Sequence, residues 1–147
     1  MSLKFSTGLR AGQAVTGSLK ALLDGGSVRI YSGPVPASAD SALSGNTVLV
    51  DVKQITTGDG LTFEATAPNG VLVKSLSETW ESDVANTGEA TFFRWVMPSD
   101  TGTASTTQVR IQGVCGLAGA DMPMSSTLLA SGAPHRIEYC NIALPEF

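Results

Sequence analysis

The sequence predicts a mainly β domain, a β-sandwich or barrel-like fold of about seven or eight strands with one N-terminal helix. Three observations carry this. Short runs alternate apolar and polar residues at period two. Turn residues such as Gly58-Asp59-Gly60 and Pro68-Asn69-Gly70 punctuate those runs. Helical spacing is confined to residues 6–24. No fixed-period repeat is visible, and 147 residues suit one domain (1–147) with an N-terminal arm and helix over about residues 1–25.

The helix is expected over Ser6–Asp24, with Leu9, Val15, Leu19, Leu22 and Leu23 near one face. Ser6 or Thr7 caps its start and Gly25-Gly26 stop it. Gly12 and Gly17 weaken it by up to about 1 kcal/mol each, so it needs a packing partner within the chain or beyond it.

Ser27–Ser32 reads as a strand with Val28 and Ile30 inward, ended by Gly33-Pro34-Val35-Pro36 because proline cannot donate to a ladder. Residues 37–46 form a loop or a short helical turn. Thr47–Val52 is the next strand, with Val48, Val50 and Val52 on one face. Leu61–Ala65 and Val71–Lys74 flank the Asn69-Gly70 turn, where a positive φ is cheap. Glu78–Glu81 is a short strand or edge around Trp80.

Glu89–Met97 has the strongest strand signal. Phe93, Trp95 and Met97 share one face, and Phe92, Arg94 and Val96 the other, so the strand is expected at the centre of a sheet. Thr106–Cys115 alternates with Val109, Ile111 and Gly113 against Arg110 and Gln112. Thr127–Leu129 starts another strand. His135–Leu144 is expected as one last strand, stopped by Pro145.

Charged residues make up only 15% of the chain, with a net charge of −4. This excludes a charge-rich disordered chain and disfavours direct nucleic-acid binding, since the lysines and arginines form no run. Low charge with many small residues points to close-packed surfaces. Residues Met1–Phe5 lack the apolar run of a signal peptide, and no stretch is long and apolar enough for a membrane span, so synthesis in the cytoplasm and no membrane partner are expected.

Chemistry-bearing motifs are sparse. Cys115 and Cys140 form no CxxC pair, and the single histidine, His135, does not complete a zinc set. Two buried thiols, a disulfide or a reactive thiol all remain open. Glu78 and Glu81 flank Trp80 as a glycosidase pair would, but a solvated strand edge accounts for them as well. Asp59, Asp100 and Asp121 lie in loops without the spacing of a calcium site. Trp80, Trp95 and Tyr31 offer a sugar-stacking platform only if exposed, and Trp80 is the one to examine. No catalytic residue, metal site or cofactor is expected.

The run Met1–Arg10, Leu19–Gly26, Val28–Pro36, Gly60–Ala65 and Ala90–Arg94 resembles small virion proteins of tailed bacteriophages and prophages. The opening helix, Gly25-Gly26 and Arg29-Ile30-Tyr31-Ser32-Gly33 are its most specific part, and the similarity covers nearly the whole chain. The resemblance implies a non-enzymatic component of head, collar or tail, present in many copies in the virion after synthesis in the host cytoplasm. Its partners would be copies of itself and other virion proteins. It brings no functional residues. The contact residues expected from the sequence are Leu3, Phe5 and Leu9 of the N-terminal arm and the edge near Trp80. The alternative is a carbohydrate- or receptor-binding module on the virion surface, built on Trp80.

Overall fold

Alternation in four long strands builds the main sheet of the computed structural model, which describes residues 3–144. In chain order the elements are β1 (Lys4–Phe5), α1 (Thr7–Val15), α2 (Leu19–Leu23), β2 (Ser27–Ser32), β3 (Thr47–Val52), a 3-10 turn (Pro68–Gly70) and β4 (Val71–Val73). There follow β5 (Trp80–Asp83), β6 (Gly88–Glu89), β7 (Phe92–Val96), β8 (Arg110–Gly116), β9 (Met122–Pro123), β10 (Leu128–Leu129), β11 (Pro134–Ile137) and β12 (Asn141–Ala143). The chain is mainly β.

The main sheet has the order β1-β8-β7-β2-β3, all antiparallel, and β9 adds in parallel along β8. β7 is central and buried throughout, as its two apolar faces require. Hydrogen bonding then continues past β3. Glu81 N–H donates to the Lys53 carbonyl and Ile55 N–H to the Thr79 carbonyl, each at 3.0 Å. β5 is thereby joined to the end of β3, and β11 pairs with the other edge of β5. The sheet curls into a barrel-like form. Smaller pairs, β10 with β6 and β12 with β4, complete it.

Val28, Ile30, Val50, Val52, Trp95 and Ile111 face the interior and meet Trp80, Phe63, Ile137 and Ile142 in one core cluster. Its centre is aromatic. The Trp80 and Trp95 rings lie 5.6 Å apart, with Phe63 edge-on to Trp80 at 5.7 Å.

Several expectations are corrected. The N-terminal helical segment is two helices, because the chain leaves the helix at Thr16-Gly17 and Ser18 starts a second one by accepting the Ala21 N–H. Val15 lies at the end of α1, 87% exposed, not on the buried face. Gly12 is the contact between the two helices; a Cβ there would meet Leu22 Cδ2 at 2.9 Å. The single last strand is two strands: β11 follows β5, and the chain then crosses to pair β12 with β4. Residues 61–65 make only isolated bridges, through Leu61 and Phe63. The Pro145 stop lies outside the described residues. At the Pro68–Gly70 turn Asn69 and Gly70 both take positive φ, as the Asn-Gly pair predicts.

Candidate functional site

The outer face of the main sheet carries an in-register polar row across five strands: Lys4, Gln112, Arg94, Arg29 and Asp51. Alternation alone places these groups in solvent. Instead the segment 34–43 and the loop 98–108 cover the middle of the row, Gln112 and Arg94, while Lys4 stays exposed at one end. Arg94, Gln112 and Arg110 are each at most 1% exposed.

These side chains satisfy the carbonyls of the irregular segment above them. Gln112 Nε2 donates to Pro36 O, Arg94 Nη2 to Ser38 O and Ser41 O, and Arg110 Nη1 to Ala39 O. Lys4 Nζ reaches Ala37 O at the rim. A buried loop has no ladder to pair its carbonyls, so side-chain donors must do it. Arg110 also holds Asp100 by two bonds, and Asp100 turns back to accept the Gly102 N–H. Burial, then the nearby Arg110 charge, lower the Arg94 pKa. This cluster is a structural clamp between the sheet and the two segments that cover it.

The carboxylates are engaged in the same way. Glu78 accepts Thr62 N–H at 2.9 Å and Trp80 Nε1 at 2.8 Å, and also holds the Thr62 hydroxyl. Glu81 pairs with Arg136 Nε at 3.0 Å. The two acids flanking Trp80 are therefore both engaged within the chain, Glu78 with Thr62 and Trp80 and Glu81 with Arg136. Asp24 accepts Phe63 N–H, Asp40 accepts Thr7 N–H, and Asp121 accepts Val114 N–H. Each pins a main-chain donor that no ladder reaches. Among the described residues no three of His, Cys, Asp or Glu gather into a metal-sized group.

Cys115 and Cys140 are unpaired. Burial pushes both thiols up to about 12, with Asp121 adding to the rise at Cys115. A thiol in that state is a poor nucleophile. Burial also lowers the His135 pKa.

A cavity of about 770 Å³ opens between the inner face of the main sheet (Val28, Phe93, Trp95, Ile111) and residues 121–142. Both ends of the curled sheet, β9 and β11, border it. Two large apolar side chains stand exposed in its lining, Leu128 at 72% and Tyr139 at 87%, among polar residues such as Ser126, Arg136 and Glu138.

The expected contact residues fall into two groups. Leu3 is exposed at the rim of this cavity, and Phe5 is half-buried opposite Ile111. Leu9 and Trp80 are 0% exposed. Leu9 anchors α1 in the core and Trp80 is the centre of the aromatic cluster, so neither offers a side chain to a partner. The sugar platform built on Trp80 falls for the same reason. The sequence reading missed this cavity and the seam between β9 and β11 that borders it. The seam's signal is Arg136-Ile137-Glu138 at the end of β11, where charged residues of opposite sign bracket one apolar residue. Comparison with family models, curated proteins and solved structures returns no match to this chain.

Proposed function

We propose that this chain is a non-enzymatic structural subunit of a tailed-phage virion, made in the host cytoplasm and held in head, collar or tail by contacts with copies of itself and with other virion proteins. One observation carries the reading. Arg94, Arg110, Asp100, Glu78, Asp24, Asp40 and Asp121 are taken up in holding loops and core together, while Leu128 and Tyr139 stand exposed near β11, whose outer edge is unpaired among the described residues. A contiguous apolar surface with a polar rim is the kind of surface that another protein covers. The resemblance of the opening segment and of residues 28–36 to phage virion proteins supports the same reading.

The test is compositional. Phage particles whose genome encodes the chain are purified on a density gradient and their proteins quantified by mass spectrometry. The reading predicts the chain at a fixed multi-copy ratio to the major capsid or tail protein. Its absence from intact particles, with the chain left in the soluble lysate, contradicts the reading.

A further inference from the structure

We infer that β11 is a self-association edge, on which a second copy of this chain adds its own β11 in antiparallel register about a two-fold axis through Ile137. The inference rests on the reading of the chain as a self-assembling subunit and names the surface.

The main-chain directions come first. Glu81 N–H and the Thr79 carbonyl are bonded to the end of β3. In an antiparallel ladder these directions alternate, so Trp80 and Ser82 turn their main-chain groups to β11. Their partners there are Ile137 and His135. It follows that Arg136 points its N–H and C=O away from β5. Among the described residues no strand pairs with that side. β11 ends at Ile137, and residues 138–140 lie in neither a strand nor a turn; the pairing we infer extends the ladder into them, which makes Glu138 the next residue with outward main-chain groups.

The charges then select the register. A dyad at Arg136 sets arginine against arginine, and one at Glu138 sets glutamate against glutamate. Like charges directly opposite are destabilising. A dyad at Ile137 places Arg136 of each copy opposite Glu138 of the other, twice, adding to the contacts that Arg136 makes within its own chain to Glu81 at 3.0 Å and Glu138 at 3.6 Å. Those are also the residues whose main-chain groups are free to exchange two hydrogen bonds per pair. Charges on an edge strand ordinarily discourage pairing. Here their order makes the strand complementary to its own antiparallel copy, as a closed two-fold interface requires.

The other face of the strand agrees. Ile137, a core residue, and His135 border the cavity, as do Arg136, Glu138 and Tyr139. In this register Ile137 meets its symmetry mate, and Tyr139 of the partner subunit stands opposite His135. Tyr139 is exposed in the single chain. In the pair its ring covers the mouth of the cavity, which explains a large aromatic side chain left in solvent beside an apolar opening.

The experiment uses the full chain with Arg136→Cys or Glu138→Cys, under mild oxidation, read by non-reducing electrophoresis and light scattering. In the proposed register these two positions face each other at about 5.5 Å between Cα atoms, within disulfide reach. Two copies of the same position lie more than about 7 Å apart, beyond it. Mixing the two variants is expected to give a covalent pair of twice the 15.1 kDa chain mass, and either variant alone to give none above the native background. Glu138→Arg, at an exposed position, is expected to weaken pairing at least about tenfold. Self-association without the mixed cross-link overturns this edge and leaves the virion reading standing. A monomer at every concentration also overturns the edge, while the particle composition tests the virion reading separately.

Discussion

The Arg110 guanidinium and the Asp100 carboxylate form a two-point ion pair sealed from solvent, with Nε to Oδ2 at 2.5 Å and Nη2 to Oδ1 at 2.8 Å. The pair ties the loop 98–108 to β8, and through Ala39 O and Thr103 O the same guanidinium holds both covering segments. Asp100→Asn leaves Arg110 buried without its counter-charge. Removing one partner of such a pair costs about 3–5 kcal/mol. Urea denaturation measures it, and a loss under about 1 kcal/mol contradicts the clamp.

The same pair sets an acid limit. Burial by itself raises the Asp100 pKa; the Arg110 hydrogen bonds and the Gly102 N–H more than offset this and leave it below the ordinary value. A folded value below the unfolded value of about 3.9 makes this contribution fully present above that value and lost as pH falls through the folded one. Thermal midpoints of the native chain are therefore expected to fall below about pH 4, and Asp100→Asn to show a shallower acid decline. Equal slopes in the two proteins contradict the assignment.

Trp80 is a core residue, and its substitution should read as stability. Trp80→Ala is expected to cost about 3–5 kcal/mol. Tyr139→Ala, at an exposed site, is expected to change the stability of the single chain by no more than about 0.5 kcal/mol. Chemical denaturation of dilute protein compares them. A Trp80→Ala chain of native stability contradicts the placement of this ring.

Two glycines near the N-terminus should respond in opposite directions. A Cβ on Gly8 meets the main-chain carbonyls of Thr107 and Gln108, which cannot swing away. Gly8→Ala is expected to destabilise by about 1–3 kcal/mol. At Gly17 the nearest atom to a new Cβ is Ala21 Cβ at 3.7 Å, an ordinary contact. Gly17→Ala is expected to stabilise by about 0.4–1 kcal/mol, by restricting the unfolded chain. Thermal melts of the two variants check the signs.

The two thiols should be slow. With both pushed up to about 12, the native protein near pH 8 is expected to react with a thiol reagent far more slowly than the urea-unfolded chain. Equal rates contradict the burial of Cys115 and Cys140.

What could be read from the sequence follows from where one signal dominates. β2, β3, β7 and β8 are legible because period-two alternation and turn residues agree there. The break at Gly17-Ser18 was not, because apolar spacing runs on from Leu9 to Leu23 while a cap and a contact at Gly12 set the boundary. β11 and β12 read as one strand, since nothing local says that Ile137 and Ile142 pair with different partners. For Arg94, Arg110 and Gln112 alternation gives the face but not the burial; it reports which face a residue takes, and a loop folded over that face removes it from solvent. Trp80 looked available for the converse reason, because its short strand hides that Glu78, Phe63 and Trp95 enclose it.

The central claim is that this chain serves as a repeated part of a particle. Cryo-electron microscopy of intact virions from the phage that encodes it tests that most directly. The account predicts density for the barrel-like subunit, repeated with the symmetry of head, collar or tail, its covered surface including the seam beside β11. A particle map in which every subunit is assigned and this chain has no place contradicts it.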